Sequence, residues 1–404
     1  HRPATGNAPG RTGPARPGDD GIRHRLAAGG LESHLHRAVQ FPAPPGGSRH
    51  AAGGLCPLQR RAWRIRPRRH RGEDCRNSRR RPREGSAQLR DSSPERTRPA
   101  DPPGTIARLW LQVISDGLGQ PVCIPVLVAR GARAGKTLGL TAALHGNELN
   151  GIPIIQRLFR HLDPLRLSGT VIGIPVVNAP SFLRQERLYL DGRDLNHLMP
   201  GRPNGSASEA YAHSMFSSVI SNFDYLIDLH TASSGRINSF YVRADMNNPE
   251  VRQAALLQNP QIIVHNPPSD GTLRGAATAL GVRSITLELG DPNVFQKNLI
   301  SAGLAGVQNL MIHLGMTEGV IAPPAQAPVL CRKSYWLYAD EGGILTVRPN
   351  LTEFLEKGQR IATVRNIFGD LVKTYEAPEA GIVIGKSVNP VNHSGGRILH
   401  LGVV

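Results

Sequence analysis

The chain has 404 residues, which is enough for two or three domains with large hydrophobic cores. Its net charge of +17 is uneven, because residues 1–103 hold 22 Arg, no Lys and nine acidic residues, whereas the remainder holds 26 basic and 22 acidic residues. No stretch approaches the roughly 20 apolar residues of a membrane helix, and no two cysteines form a CxxC pair, so neither a transmembrane protein nor a thiolate zinc site is indicated.

Residues 1–103 are rich in Pro, Gly and Arg and show no sustained hydrophobic period. Such a segment buries too little apolar surface to offset the entropy of ordering, so we predict that it is disordered. An Arg-rich arm can neutralise nucleic-acid phosphates. The absence of Lys beside 22 Arg is nevertheless more typical of codon bias. We therefore interpret the tail as a wrongly extended start or an out-of-frame segment of the gene model, and nucleic acid is not favoured as a partner.

Predicted strands and helices alternate between the tail and residue 320. Apolar runs predict strands over 106–115, 122–129, 138–144, 170–177, 223–230, 239–243, 261–265 and 283–290. Apolar residues at helical spacing predict helices over 148–162, 207–220, 271–281 and 294–314. A polar loop covers 178–204, and loops of this length inside a compact domain are usually functional. The alternation predicts an α/β domain over 104–320 with a mixed, largely parallel sheet flanked by helices.

The character of the chain changes after the Pro-rich segment 322–328, which is typical of a linker. Residues 329–404 contain short predicted strands separated by Gly and Pro, and no strong helical pattern. We therefore predict a linker and a small all-β domain over 321–404, with a core separate from that of the α/β domain.

Three of the predicted strands end in residues that can bind a metal ion. His145 and Glu148 follow the first of these strands, and His230 and Glu288 end the other two. In an open α/β sheet the carboxyl ends of strands lie along one edge, so these side chains can meet. Two His and one Glu form a zinc set that leaves a position for water, and Glu288 could then accept a proton from that water. The alternative at each position is a helix cap or an ion pair with Arg, but all three occurrences together favour a metal site.

The polar segment 184–196 offers the other groups that a hydrolytic metal site needs. Its Arg side chains can hold a carboxylate or a developing oxyanion, and its Asn can donate from an amide. An Asp in it can accept from the free ring N–H of a metal-bound His. The alternative is a solvated turn with salt bridges.

Four motifs in this order carry a resemblance to a known family: 145–148 (HGNE), 194–196 (DLN), 228–231 (DLHT) and 287–290 (LELG). The chain resembles the succinylglutamate desuccinylase/aspartoacylase family, which has a zinc carboxypeptidase-like fold. The resemblance runs from about residue 104 to 404, including the segments 271–274 and 377–385. The tail has no counterpart in the family.

The resemblance implies one zinc ion per chain, held by His145, Glu148 and His230. It implies that Glu288 is the general acid and base and that Arg187 polarises the scissile carbonyl.

Further roles follow position by position. The resemblance implies that Asp194 orients His145, that Asn196 binds the substrate carboxylate and that Arg274 contacts the substrate. His197 stands where the family usually has an Arg. A histidine cannot form the two-pronged grip of a guanidinium, so His197 alters the expected substrate-binding site.

Together these features predict zinc-dependent hydrolysis of the amide bond in a small N-acyl amino acid or related N-acyl amine. A carboxypeptidase-like peptidase and a non-catalytic protein with a zinc site are the alternatives. The cysteine pattern predicts a reducing, cytoplasmic location, with Cys123 and Cys331 as small buried residues. The predicted partner is a small molecule rather than a membrane, and the sequence leaves a homo-oligomer open.

Overall fold

The structure is a computed structural model, and it describes residues 102–269 and 271–404. The predicted disorder of the tail therefore falls outside the described residues, except for the last two positions of that segment. No helix in the described ranges is long and apolar enough to cross a membrane.

The described part of the chain contains 18 strands, six α-helices and two short 3-10 helices. The strands are β1 (Thr105–Ser115), β2 (Pro121–Arg130), β3 (Arg133–Ala142), β4 (Ser168–Ile174), β5 (Tyr225–His230), β6 (Arg236–Asn238), β7 (Phe240–Ala244), β8 (Ile262–His265), β9 (Arg283–Leu289), β10 (Val329–Cys331), β11 (Lys333–Tyr338), β12 (Gly343–Val347), β13 (Phe354–Leu355), β14 (Arg360–Arg365), β15 (Leu371–Glu376), β16 (Gly381–Ser387), β17 (Val391–Asn392) and β18 (Arg397–Val403). The α-helices are α1 (Gly151–His161), α2 (Ala179–Arg184), α3 (Ala207–Ser218), α4 (Pro249–Leu256), α5 (Leu273–Ala279) and α6 (Lys297–His313), and short 3-10 helices cover Leu195–His197 and Ile220–Asn222.

A nine-stranded mixed sheet forms the centre of the molecule, in the order β1-β2-β4-β3-β5-β9-β7-β8-β10. The strands β4, β3, β5 and β9 are mutually parallel, whereas β7 runs antiparallel to β9. Successive residues of β5 enter different hydrophobic clusters, since Ile227 packs with α1, α4 and α6 and Leu226 packs with α3 and α5. Helices therefore cover both faces, which explains why the central strands are continuous apolar runs. The predicted α/β fold is confirmed.

The first helix of the sheet begins later than the sequence predicts. α1 starts at Gly151 rather than at Glu148, because residues 145–148 form a turn closed by a hydrogen bond from the Glu148 N–H to the His145 carbonyl, at 3.1 Å. A Cβ on Gly151 would lie 2.7 Å from the Cβ atoms of both Ala142 and Leu229. Only a glycine lets the helix start this close to the sheet. Glu148 therefore lies in the turn before the helix.

Other departures from the prediction concern short elements. The predicted loop over 178–204 contains α2 and the 3-10 helix Leu195–His197, and the prediction omitted β6 and α4. β6 has only three residues, which is too short for the period-two pattern of a strand to appear in the sequence.

The C-terminal region forms two small sheets, ordered β11-β18-β16-β13 and β15-β14-β12-β17. It has a hydrophobic core of its own, as the sequence predicts, which includes Leu345, Val364 and Leu399, but three further contacts join it to the α/β domain. β10 belongs to the large sheet, where it pairs parallel to β8, and β6 pairs with β16. A small hydrophobic cluster also joins the two regions through Tyr241, Ile262, Val264, Cys331, Ile382 and Ile384.

Candidate metal centre

The carboxyl ends of three neighbouring strands bring the predicted metal-binding residues together. β3 pairs with β5 and β5 pairs with β9, and in the second pair His230 lies directly opposite Glu288. The turn after β3 delivers His145 and Glu148 to the same edge. This turn packs tightly against α2, since a Cβ on Gly146 would lie 2.1 Å from the Ser181 backbone. The glycine therefore fixes how closely the turn approaches α2.

His145, Glu148 and His230 form a compact group of potential metal ligands. Each is buried, and the ligand atoms of all three lie within 4.8 Å of one another. Nδ1 of His145 lies 2.9 Å from Oε1 of Glu148, and Nδ1 of His230 lies 2.9 Å from Oε2 of the same carboxylate. The three side chains that the sequence predicts to bind zinc can therefore reach one ion.

A carboxylate lies behind each of the two imidazole rings. Nε2 of His145 is 2.9 Å from Oδ1 of Asp194, and Nε2 of His230 is 2.8 Å from Oδ2 of Asp228. A carboxylate accepts hydrogen bonds, so each Nε2 carries a proton and each ring turns its Nδ1 toward Glu148. Two imidazole nitrogens and a carboxylate that converge in a buried space are a donor set that suits a divalent cation. The residues therefore fit a metal ion.

Charges around the site also favour a cation. Burial lowers the pKa of His230, but Asp228 and Glu148 outweigh this effect and raise it well above its ordinary value. Burial raises the pKa of Glu148, yet His145 and His230 hold it well below its usual range. The carboxylates therefore attract positive charge to the space between the two rings.

Asp228 is a further functional residue that is absent from the predicted site, although its spacing from His230 is visible in the sequence. Asp228 and His230 are two residues apart on β5 and thus point to the same face of the strand. The Asp228 carboxylate is also fixed from behind, since Oδ1 accepts a hydrogen bond from the Thr141 hydroxyl at 2.7 Å.

Arg187 lies at the edge of the ligand group. Its Nε and Nη2 donate to Oδ2 of Asp194 at 3.0 and 2.7 Å, and its Nη1 donates to Oε1 of Glu148 at 3.1 Å. Its Nη1 also donates to the Ser233 hydroxyl at 2.5 Å. Burial raises the pKa of Asp194, but His145 and Arg187 hold it well below its usual range. Asp194 thus orients both a potential ligand and a cation.

Glu288 lies beside the ligand group on β9. Its Oε2 accepts a hydrogen bond from Nδ2 of Asn238 at 3.1 Å, and its Oε1 lies 3.7 Å from Nε of Arg243. Burial raises the pKa of Glu288, and Arg243 opposes part of this rise. Sequence reasoning identified neither Asn238 nor Arg243, because nothing in the sequence shows that β6 and β7 pass beside β9.

The remaining predicted residues do not touch the ligand group directly. Asn196 accepts a hydrogen bond from the Leu273 N–H at 2.9 Å through its Oδ1. The buried Arg274 donates to the carbonyl of Asn266 at 3.0 Å and to the side-chain oxygen of the same residue at 2.5 Å. The His197 side chain is 66% exposed, and its Nε2 lies 3.9 Å from Oδ2 of Asp194. Arg274 thus fixes the loop before α5, and His197 faces solvent.

A comparison with known families matches this catalytic region. Residues 134–314 match the model of the succinylglutamate desuccinylase/aspartoacylase catalytic domain. Residues 134–314 therefore form a catalytic domain of this family. The matched residues include both His and both Glu of the site, so the desuccinylase/aspartoacylase domain contains the whole candidate metal centre.

Two relatives of the chain are deacylases by name. The N-alpha-acetyl-L-2,4-diaminobutyric acid deacetylase of Halomonas elongata is 26% identical over 280 residues, which cover 66% of this chain and 81% of that enzyme. The succinylglutamate desuccinylase of Pseudomonas paraeruginosa is 31% identical over 178 residues, covering 41% of this chain and 53% of that enzyme. The second match thus spans about half of the relative. These relatives support an enzyme that hydrolyses amides.

Two solved structures share the fold of this chain. The product-bound ectoine utilization protein of Ruegeria pomeroyi superimposes with a TM-score of 0.70 at 24% identity, over 76% of this chain and 98% of that one. A succinylglutamate desuccinylase from Silicibacter sp. gives a TM-score of 0.68 at 25% identity, over 76% and 97% of the two chains.

Proposed function

We propose that the protein is a zinc-dependent amidohydrolase that removes the acyl group from a small N-acyl amino acid or a related N-acyl amine. One observation carries the proposal: the buried group His145, Glu148 and His230 has the partly buried carboxylate of Glu288 beside it, opposite His230 in the sheet. A site that only bound zinc would not need this second carboxylate. The deacylase relatives support the same reaction class.

His145, Glu148 and His230 would hold the zinc ion, with Asp194 and Asp228 fixing the two rings. When bound, zinc lowers the pKa of a water molecule and polarises a carbonyl group.

Glu288 acts as the base and then as the acid. It takes a proton from the attacking water, whose oxygen forms a bond to the acyl carbon. When the C–N bond breaks, Glu288 delivers a proton to the leaving nitrogen. Burial raises its pKa and thereby makes it a better proton acceptor. The hydrogen bond from Asn238 holds one of its oxygens in a fixed direction.

Arg187 stabilises the negative charge that develops on the acyl oxygen. Its Nη1 faces Glu148 and Ser233, so the guanidinium already lies at the mouth of the ligand group. Asp194 holds two of its other nitrogens and keeps it there. A donor that is fixed before the reaction stabilises an oxyanion without reorganisation.

The substrate-side roles of Asn196, His197 and Arg274 are separate proposals. The Oδ1 of Asn196 accepts a hydrogen bond from the backbone of α5, so its amide nitrogen would donate to the substrate. His197 would contribute at the rim, because its ring is largely exposed. Arg274 would act indirectly, by fixing the loop that contains Asn266.

The proposal is tested with the acyl groups of the named relatives. Purified zinc-loaded protein is assayed for free amine released from acetyl and succinyl amino acids. Glu288→Gln should abolish turnover and retain zinc, whereas His145→Ala should lose zinc as measured by elemental analysis. Turnover by Glu288→Gln, or an unchanged zinc content in His145→Ala, would contradict the roles proposed here. The cytoplasmic location remains a prediction.

A further inference from the structure

A second cation lies beside the proposed active site, on the short strand β6. Arg236 and Asn238 are two residues apart on this strand, so their side chains leave the same face. Asn238 contacts Glu288 from this face, and Ser233 just before the strand contacts Glu148. The guanidinium of Arg236 therefore leaves β6 on the side that faces the reacting groups.

Arg397 of β18 approaches the same place from the C-terminal region. The guanidinium carbon of Arg236 lies 5.9 Å from the centroid of the Trp336 ring, and that of Arg397 lies 5.3 Å from the same centroid. The Trp336 ring is itself fixed, since it stacks on His400 with an interplanar angle of 12°. One aromatic ring thus lies next to both arginines.

Strand pairing makes this arrangement rigid. Trp336 is opposite His400, His400 is opposite Gly385, and Gly385 is opposite Asn238. These four residues form one row across the small sheet, and the last of them, Asn238, donates a hydrogen bond to Glu288. Arg236 lies on the same paired strand, directly opposite Ser387 of β16.

Neither arginine pairs with a carboxylate in the described part of the chain. Burial lowers the pKa of Arg236, and the charges of Arg397 and Arg187 lower it further, which outweighs Glu148 and Glu288. Two guanidinium groups that repel each other beside an active site are stabilised by an anion that binds between them. A ring face offsets only part of the cost of desolvating a guanidinium.

We propose that Arg236 and Arg397 bind the carboxylate of the amino-acid part of the substrate, next to Trp336. This inference rests on the proposed function, because it names the substrate group that the same site recognises. A guanidinium matches a carboxylate with two parallel hydrogen bonds, so two arginines can orient the substrate as well as attract it. The C-terminal sheet would then select substrates with an acidic group.

The test compares a carboxylate with its uncharged analogue. Binding of L-2,4-diaminobutyrate and of its carboxamide to the zinc-loaded full chain is measured by titration calorimetry. Hydrolysis of the Nα-acetyl forms of both compounds is measured in parallel. We expect wild-type protein to prefer the carboxylate. Arg236→Gln should reduce this preference by roughly 10- to 100-fold, the range for the loss of hydrogen bonds to a charged group.

Matched variants separate this role from a general effect of charge. Arg397→Gln should act in the same direction as Arg236→Gln, and Arg236→Lys should recover part of the preference. The control is Arg360→Gln, which removes an equal charge from an exposed position on β14 and should change nothing.

The outcomes distinguish the two proposals. A wild-type protein with no preference for the carboxylate would overturn the inference, as would substitutions that weaken both ligands equally. If the binding preference depends on both arginines but no acyl compound is hydrolysed, the proposed function fails and the carboxylate site stands. If hydrolysis occurs and Arg236→Gln leaves the preference unchanged, only the carboxylate site fails.

Discussion

Gly385→Ala should lower kcat, although Gly385 lies outside the large sheet. Gly385 lies on β16, directly opposite Asn238 of β6. A Cβ at this position would lie 2.3 Å from Oδ1 of Asn238 and 3.0 Å from the carbonyl oxygen of Ile237. The Asn238 side chain is the element that can move, so the new methyl group should displace it. Its hydrogen bond to Glu288 would then be lost.

The size of the effect follows from that hydrogen bond. A hydrogen bond to a charged group contributes about 1.5–3 kcal/mol. If this contribution fixes Glu288 for proton transfer, its loss lowers kcat by roughly 10- to 100-fold, since about 1.4 kcal/mol corresponds to a factor of ten. Overpacking of this kind typically costs about 1–3 kcal/mol of folding stability. The protein should therefore remain folded while it loses activity.

The assay is kcat on any N-acyl substrate that wild-type protein hydrolyses, together with zinc content and thermal unfolding. Asn238→Ala removes the hydrogen bond without the clash, so it should match the kcat of Gly385→Ala. Gly117→Ala is the control, because a Cβ there meets no atom within 4 Å. An unchanged kcat in Gly385→Ala would refute the reasoning, and so would a large loss in Gly385→Ala with none in Asn238→Ala.

Two further predictions concern the metal site and the effect of pH on stability. Asp228→Asn should weaken zinc binding by roughly 10- to 100-fold, because the ring of His230 loses its charged acceptor; competition with a chelator measures this, and an unchanged affinity would contradict it. His400 should destabilise the fold in acid, because burial, Arg243 and Arg397 hold its pKa well below the ordinary value. The unfolded chain then binds a proton that the folded chain does not, so stability is lost as pH falls below about 6.5. Urea unfolding at pH 5 and pH 7 should show a smaller difference in His400→Gln than in wild-type protein, and equal differences would count against this reasoning.

The meeting of His145, Glu148, His230 and Glu288 at one sheet edge could be predicted from sequence because it depends mainly on the fold class. His145, His230 and Glu288 all follow apolar runs, and the carboxyl ends of neighbouring parallel strands share one edge. The helix after Glu148 was predicted three residues too early, since the periodic pattern does not show that the turn needs Glu148.

The groups that complete the site depend on tertiary pairing and therefore could not be predicted. Asn238 and Arg236 lie on a three-residue strand that pairs, within the described ranges, with β16, which is far away in the sequence. The same pairing brings Trp336 and Arg397 toward the site. No local periodicity encodes these contacts. Asp228 differs, since its spacing from His230 on a predicted strand was visible in the sequence.

The central claim is that a metal ion held by His145, Glu148 and His230 supports amide hydrolysis. The most direct measurement is the release of free amine from Nα-acetyl-L-2,4-diaminobutyrate and from N-succinylglutamate by metal-stripped protein during titration with zinc. We expect activity on at least one compound to rise from zero and to reach its maximum at one zinc ion per chain. Release of amine that is independent of zinc, or none from either compound at full zinc occupancy, would contradict it.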